Sequence, residues 1–351
     1  MRRSNRNFSR FSLPLHWDAE TVEKCIDIAE KNEGSKIHEF YGTLSSGVIG
    51  HGRTSSNVSS VTLEDARKIV EMIRSENIGF DYVLNSPVVS KDDQTVKNHI
   101  SSILENLDPD ALIVASERLM KLIRDVSNDV DIYVSTIAGV KDVDDVDRYR
   151  QYGVSKITLH HDGPRNFENL DRLLEIEGPD IELMVNESCL RRCPRRESHF
   201  ETVGQDNDDS MFHQWCNGLK IERPEKLLNA NIIRPEDVEI YEEIGVERFK
   251  ITGRAKKPSW LPKVVKAYME RKFEGNLIRL TGIYSQMDVE SWLYIDNQSL
   301  EGFLRNYPRK GNKADEEEYC KEWAERLESD GGLKINYERA KKILGGLYDG
   351  S

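Results

Sequence analysis

Short apolar segments alternate with amphipathic segments along most of this chain, and this alternation limits its fold more than any other feature. In the amphipathic segments, apolar residues recur at positions i, i+3 and i+4, the spacing of a helix with one buried face. Eight strands that alternate with helices over about 220 residues predict a parallel (β/α)8 barrel of the TIM type, in the α/β class. The predicted strands are Ile37–Tyr41, Phe80–Leu84, Ala111–Ala115, Asp131–Thr136, Lys156–His160, Glu182–Val185, Ala230–Ile233 and Arg248–Thr252.

The predicted helices fit this order, and Thr62 supplies one of them with a typical helix start. An open doubly wound sheet is the alternative, and a glycine-rich phosphate loop after its first strand would favour it. The glycines between residues 47 and 52 do not have the spacing G-x-G-x-x-G, so we prefer the barrel. The predicted helices are Leu63–Arg74, Thr95–Leu107, Glu117–Val126, Val143–Gln151, Asn166–Glu175 and Pro235–Ile244.

The chain divides into three predicted parts. Residues 1–12 are basic and rich in Ser and Asn but lack the apolar segment of a signal peptide, so we expect a flexible leader. Residues 13–273 form the predicted barrel domain. Residues 274–351 are acidic and aromatic. We expect them to form a C-terminal extension, helical after a strand at Asn276–Tyr284, that packs on the barrel.

The charge of the chain limits its partners. The 351 residues include 62 acidic and 50 basic side chains, a net charge of −12. We do not expect a nucleic-acid partner, because phosphate neutralisation needs a basic surface. We expect no membrane span either, since no run of about 18 apolar residues occurs. Five cysteines cannot all pair, and together with the lack of a signal peptide this predicts a cytoplasmic protein with reduced thiols.

Four of the cysteines are predicted to bind a metal centre. Cys189 and Cys193 form a C-x-x-x-C pair directly after a predicted strand, and Cys216 and Cys320 complete a set of four thiolates. Such a set holds either a [4Fe–4S] cluster or a structural Zn²⁺ ion. Zinc sites favour two close cysteine pairs, and only one is present here, so the spacing favours the cluster. Cys25 lies in a helical pattern and is expected to be a buried thiol.

Residues 195–221 interrupt the alternation and are predicted to form a long loop on the face where barrel active sites lie. This segment contains His199, an alternative metal ligand, and the acidic run at residues 206–209. The run lacks the ligand spacing of a calcium-binding loop, so we interpret it as a solvent-exposed loop tip.

Polar residues collect at the predicted carboxyl ends of the strands, where barrel enzymes place their chemistry. Glu39, Tyr41 and His160 are predicted to be catalytic, as proton-transfer or positioning groups. His161 follows His160, and only one of two adjacent strand residues can point into the barrel. Arginine pairs with planar carboxylates through two hydrogen bonds. Three arginines near strand ends are therefore predicted to bind a carboxylate: Arg53, Arg234 and Arg254.

Three segments carry a resemblance to a known family: N-E-S-C at 186–189, R-P-E-D at 234–237 and E-R-F-K-I-T-G-R at 247–254. Together they resemble the collagenase-like peptidase family U-32, over roughly residues 13–272. The resemblance implies a [4Fe–4S] cluster held by four cysteines. It also implies hydroxylation of an aromatic ring without dioxygen, with prephenate as the oxygen donor in the RNA-modifying branches.

The residues and the resemblance together predict an iron–sulfur enzyme that carries out an oxygen-independent hydroxylation or a related redox step. Its partners would be a small, aromatic or biosynthetic substrate, a carboxylate donor such as prephenate, and a second subunit in a homodimer or heterodimer. Two alternatives stay open. One is a peptidase, although neither a nucleophile with its base nor an open metal site is evident. The other is a non-catalytic, cluster-bearing subunit of a heterodimer.

Overall fold

A computed structural model of the chain describes residues 9–45, 48–54, 60–282, 288–309 and 312–344. Eight parallel strands pair in chain order and close into a barrel, with β8 hydrogen-bonded to β1. The predicted (β/α)8 barrel is therefore confirmed. The strands are β1 (Ser9–Pro14), β2 (Ser35–Gly42), β3 (Gly79–Leu84), β4 (Ala111–Val114), β5 (Asp131–Val134), β6 (Val154–Thr158), β7 (Asp180–Met184) and β8 (Arg248–Lys250).

Helices follow most of the strands and cover the barrel. Two of them, α7 and α8, form much of the segment between residues 195 and 221, where the sequence predicted a long loop. The helices are α1 (Ala19–Glu30), α2 (Leu63–Ser75), α3 (Asp93–Leu107), α4 (Glu117–Val126), α5 (Val143–Arg150), α6 (Phe167–Glu175), α7 (Arg196–Gly204), α8 (Ser210–Glu222), α9 (Glu225–Leu228), α10 (Val238–Glu243), α11 (Leu261–Met269), α12 (Lys313–Ser329) and α13 (Tyr337–Leu344).

Helix α2 illustrates how the sequence pattern becomes structure. The hydroxyl of its N-cap residue, Thr62, accepts a hydrogen bond from the backbone N–H of Asp65 at 3.1 Å. Its apolar residues recur at helical spacing and are buried. Burial of each large aliphatic side chain contributes about 1.5–3 kcal/mol. The buried residues of this helix are Ala66, Ile69, Val70 and Ile73.

Within the barrel, one strand was missed and one predicted strand was wrong. Strand β1 was missed, and it overlaps the predicted flexible leader, of which residues 1–8 lie outside the described part. Its Ser12 hydroxyl donates to carboxylates inside the barrel, so the strand lacks the continuous apolar run of a buried parallel strand. The segment Ala230–Ile233 is buried but is not a strand of the barrel. Arg165 donates to two of its carbonyls, and Asn186 pairs with Ile232 in an isolated bridge.

The C-terminal extension combines helices with a small antiparallel sheet, β9 (Leu293–Ile295) and β10 (Leu333–Ile335). The strand predicted at Asn276–Tyr284 was wrong over the residues described, where a short 3₁₀ helix spans Leu277–Leu280; Tyr284 itself lies outside them. Helix α12 packs against α9. Across the described ranges, no helix has the length and apolar character needed to cross a bilayer.

Candidate functional site

A pocket of about 160 Å³ opens at the carboxyl ends of the barrel strands. This is the end of the barrel where the loops after the strands meet. One side of the pocket is formed by the segment between β7 and the end of α8, so the insertion that interrupts the barrel pattern builds the site. The strand-end residues that line the pocket are Tyr41, Val83, Ile113, Thr158, Met184 and Lys250.

Three cysteines line this pocket. Cys189 lies in the turn that follows β7. Arg192 has a left-handed backbone conformation, with φ of 53°, which turns the chain so that Cys193 also reaches the pocket. Cys216 comes from α8 and lies close enough to both other thiols to interact with them electrostatically. Three of the four predicted thiol ligands therefore share one site.

Two thiols of this site, those of Cys189 and Cys193, have environments that favour the neutral form unless a cation compensates their charge. Burial raises the pKa of Cys189, and the Glu187 carboxylate, 3.5 Å from its Sγ, raises it further. Burial also raises the pKa of Cys193. Because the thiolate is both the nucleophile and the metal ligand, a bound metal ion or cluster would be needed to keep these sulfurs deprotonated.

Cys320 is not brought to this site. It is fully buried on α12, within the apolar core, and burial raises its pKa to about 12. Cys25 is likewise buried, on α1, with a pKa raised to about 12 by burial. The helical pattern around Cys25 predicted that its thiol is buried. The spacing between Cys216 and Cys320 gave no sign that α12 packs on α9, away from the pocket lining.

The two adjacent histidines have different surroundings. The structure places His161, not the predicted His160, in the pocket lining. A ring nitrogen of His161, a carboxylate oxygen of Glu187 and the Cys189 Sγ all lie within 4.8 Å of one another. His160 instead contacts Arg196, with 2.8 Å between its Nε2 and an Nη1 of the guanidinium. Burial lowers the pKa of both histidines, to about 4 for His160.

The three predicted carboxylate-binding arginines do not lie together. Arg53 and Arg254 line the pocket, and Arg254 donates to the His51 carbonyl at 2.7 Å. Arg234 lies outside the pocket lining. Its Nε and Nη2 donate to the Asp237 carboxylate at 2.8 Å each, and its Nη1 donates to the Asn297 carbonyl. Arg234 therefore holds the chain after residue 233 to the C-terminal extension.

A layer of charged side chains lies below the pocket, inside the barrel. Glu39 is buried there and accepts hydrogen bonds from Ser12 and Lys156. Glu182 is also buried and accepts a bond from Lys250 at 3.3 Å. Burial would raise the pKa of Glu182, but the nearby lysines hold it well below its usual range. Glu39 thus belongs to a buried ionic network and does not reach the pocket.

Lys250 connects this network to the pocket. Its Nζ lies 3.8 Å from the centre of the Tyr41 ring, and the Tyr41 hydroxyl donates to the Ile251 carbonyl at 2.8 Å. The ring face of Tyr41 therefore positions the ammonium group of Lys250, while the Tyr41 hydroxyl is hydrogen-bonded to the backbone. Of the predicted catalytic residues, only Tyr41 lines the pocket.

Comparison with known proteins shows which family the chain resembles. The model of peptidase family U32 matches residues 50–183. A relative from Methanocaldococcus jannaschii, the uncharacterized protease MJ1657, is 28% identical over 300 residues, which cover 82% of this chain and 87% of the relative. The chain is therefore similar to the U32 family over residues 50–183. This match ends before the loop that carries the cysteines.

Two solved structures also resemble this protein. One is the U32 peptidase Mk0906, with 14% sequence identity, a TM-score of 0.48, and coverage of 71% of this chain and 94% of that one. The other is the YdjI aldolase from Escherichia coli K12, with 11% identity, a TM-score of 0.41, and coverage of 99% and 95%.

The pocket includes charged and aromatic residues for which the sequence predicted no site role. Most of them follow β7 or lie on α7 and α8, and only the closed barrel brings them to the strand ends. Lys250 instead ends β8, and both it and Glu187 could be recognised as polar residues at predicted strand ends. The additional charged and aromatic pocket residues are Glu187, Arg195, Arg196, Phe200, Phe212, His213, Trp215, Lys220 and Lys250.

Proposed function

We propose that this protein is an iron–sulfur enzyme of the U32 family that carries out an oxygen-independent hydroxylation, or a related redox step, on a small aromatic or biosynthetic substrate. The observation that carries the proposal is the convergence of Cys189, Cys193 and Cys216 on one pocket at the carboxyl end of the barrel. Soft thiolate ligands from separate segments suit an iron–sulfur cluster. The resemblance to the hydroxylase branches of the family supplies the reaction class.

The residues of this pocket fit a [4Fe–4S] cluster held by three thiolates, not four. Cys189, Cys193 and Cys216 would each bind one iron. Cys189 has the His161 ring and the Glu187 carboxylate within 4.8 Å of its sulfur, and either group could supply the fourth ligand. A bound cluster would supply one-electron redox chemistry at this wall of the pocket. A structural zinc ion is the alternative, with the same thiolates as ligands.

Cationic side chains on the pocket wall support a carboxylate co-substrate such as prephenate. Arg53, Arg254 and Lys250 all line the pocket. In this proposal the guanidinium groups orient the carboxylates, and Lys250, held over Tyr41, adds a point charge nearby. Phe200 and Phe212 also line the pocket and would exclude water from the aromatic substrate.

The test of the cluster is purification without air. We expect a brown protein whose broad visible absorption comes from thiolate-to-iron charge transfer, with iron and sulfide bound. C189A, C193A and C216A should each lower the iron content, while the buried cysteines provide matched controls: C25A and C320A should retain it. Stoichiometric zinc without iron would overturn the cluster, and loss of iron in C320A alone would overturn the ligand set.

A peptidase is the second candidate, because Cys189 lies beside His161 and Glu187 in an arrangement that a cysteine nucleophile could use. The electrostatics oppose it. Burial raises the pKa of Cys189 and lowers that of His161, so a neutral pair is favoured over thiolate and imidazolium.

An activity assay distinguishes the two candidate functions. Under argon, prephenate and an aromatic substrate should give a product with one added oxygen. Peptide cleavage that persists after iron removal would favour the peptidase instead.

A cytoplasmic location belongs to the same proposal. All five cysteines are free thiols, which suits a reducing compartment. Turnover that appears only after a second protein is added would instead favour the subunit of a heterodimer.

A further inference from the structure

Helices α7 and α8 bring two histidines and an aspartate together at a place that the cysteines do not occupy. The Nε2 atom of His199 lies 3.2 Å from the Asp209 Oδ2, and the Nε2 atom of His213 lies 3.1 Å from the same oxygen. One atom from each of the three side chains falls within 4.8 Å of the others. Two imidazoles thus converge on a single carboxylate oxygen.

Asp209 stands at a helix start without acting as a helix cap. It is the N-cap residue of α8, yet its side chain accepts no hydrogen bond from the first turn of that helix. In the same position before α1 and α5, Asp18 and Asp142 accept the N–H group three residues on. A capping hydrogen bond is worth about 1 kcal/mol. Asp209 forgoes it, although its side chain is buried, and its carboxylate faces the two histidines instead.

The three side chains are held in place before any ligand binds. Asp209 and His213 are four residues apart and so lie on one face of α8. The His199 ring stacks on Phe212, with 4.8 Å between ring centres and an angle of 10° between the planes. Ligands that are already ordered lose little conformational entropy when an ion binds.

The distances match those around a transition-metal ion. Bonds of about 2.1 Å that meet at angles between an octahedral and a tetrahedral value place neighbouring ligand atoms about 3.0–3.4 Å apart. The two observed separations, 3.1 and 3.2 Å, fall in this range. Two histidines and one carboxylate are a ligand set that zinc and non-haem iron(II) use while keeping a coordination position open.

We infer that His199, Asp209 and His213 form a binding site for a divalent transition-metal ion of the zinc and iron(II) class, separate from the cysteine site. Both histidines line the pocket, so an open position of the ion would face a ligand bound there. The inference does not depend on the proposed iron–sulfur function. Sequence reasoning interpreted residues 206–209 as a solvent-exposed tip, which describes 206–208 but not the buried Asp209.

Cobalt(II) is the probe that separates this site from the cysteines. A Co²⁺ ion bound by two histidines and a carboxylate should give visible d–d bands without the intense near-ultraviolet charge-transfer band of a cobalt–thiolate bond. We expect one Co²⁺ or Zn²⁺ per full-length chain in excess of any metal held by the cysteines. H199A and H213A should each weaken binding at least about tenfold, as even the loss of a residue that only supports a ligand can do.

The controls address folding and specificity. H99A removes a histidine on α3 outside the pocket lining and should leave the affinity unchanged. D209N preserves the shape of the side chain but removes its charge, so it should fold and still lose the ion. Zn²⁺ should raise the unfolding temperature of the wild type but not of D209N. Metal binding that is unchanged in H199A and D209N would overturn the inference. A protein that binds no Co²⁺ beyond the ion lost in C216A would also overturn it.

Discussion

At the scale of single residues, the two arginines nearest the family motifs have opposite roles. Arg234 begins the R-P-E-D segment, but Asp237 and Asn297 use three of its donor atoms. Arg254 ends the second segment, lies within 5.9 Å of the centre of the Tyr41 ring and lines the pocket. A guanidinium that is committed to a buried carboxylate cannot also bind a substrate carboxylate bidentately. For the proposed carboxylate co-substrate, Arg254 is therefore a better candidate anchor than Arg234.

This difference predicts the outcome of paired substitutions. Arg254→Ala should weaken the binding of prephenate by about 1.5–3 kcal/mol, the scale of a hydrogen bond to a charged group. Arg254→Lys should recover only part of this loss, because an ammonium group lacks the planar fork of the guanidinium. Arg234→Lys is the matched control. It should lower the unfolding temperature but leave the affinity, measured by calorimetry, unchanged. An equal loss of affinity in both proteins would contradict the assignment.

At the scale of elements, helices with a clear apolar stripe and a cap could be predicted from the sequence, and α2 is the best example. The hydroxyl of Thr62 satisfies an N–H group at the start of α2. Ser116 occupies the equivalent position before α4 but makes no such hydrogen bond. Two N-cap residues of similar chemistry therefore differ in what they contribute.

Substitution of these two caps should separate their contributions. Thr62→Ala should lower the free energy of unfolding by about 1 kcal/mol, the usual cost of losing an N-cap hydrogen bond. Ser116→Ala should change it by less than half as much. Urea unfolding followed by circular dichroism measures both. If the two variants lose the same stability, the cap of α2 does not act as the structure indicates.

Two segments could not be assigned correctly, because their backbone partners are distant in sequence. The barrel strand β1 lacks a continuous apolar run, because Ser12 points to the buried Glu39 and Glu182. The segment Ala230–Ile233 is buried like a strand, but two of its carbonyls accept hydrogen bonds from Arg165. The spacing of apolar residues along the sequence indicates which residues are buried. Whether a segment becomes a strand of the barrel depends on the hydrogen-bond partners that its backbone has in the folded protein.

At the scale of the whole molecule, the composition of the candidate site also depends on contacts between residues that are distant in sequence. That the two cysteines of the C-x-x-x-C pair share one site could be predicted, because both lie in the segment directly after one strand. The third, Cys216, joins them because α8 folds back over the barrel, and Cys320 does not, because α12 packs in the extension. The closure of the barrel also buries several histidines in neutral form, and this affects the stability of the entire protein.

His51 carries the clearest consequence for pH. It is 5% exposed, and burial, reinforced by Arg254, lowers its pKa to about 4. The unfolded chain binds a proton at His51 near the ordinary pKa of about 6.5. Between these values the unfolded state holds more protons than the folded state, so stability is lost as the pH falls from about 6.5 to about 4. Burial lowers the pKa of His16 in the same direction.

His51 can therefore reduce the free energy of unfolding by up to about 3 kcal/mol at the acid end of this window, since one pKa unit corresponds to about 1.4 kcal/mol. Urea unfolding at pH 8, 6 and 4.5 should show this decline. His51→Gln cannot be protonated, so its stability should fall less steeply with acid than that of the wild type. At pH 8 His51 is neutral in both states, so the stability difference between the two proteins is there the cost of the substitution alone. This difference should shift in favour of the variant as the pH falls. Parallel pH profiles would show that His51 binds its proton equally well in the folded and unfolded protein.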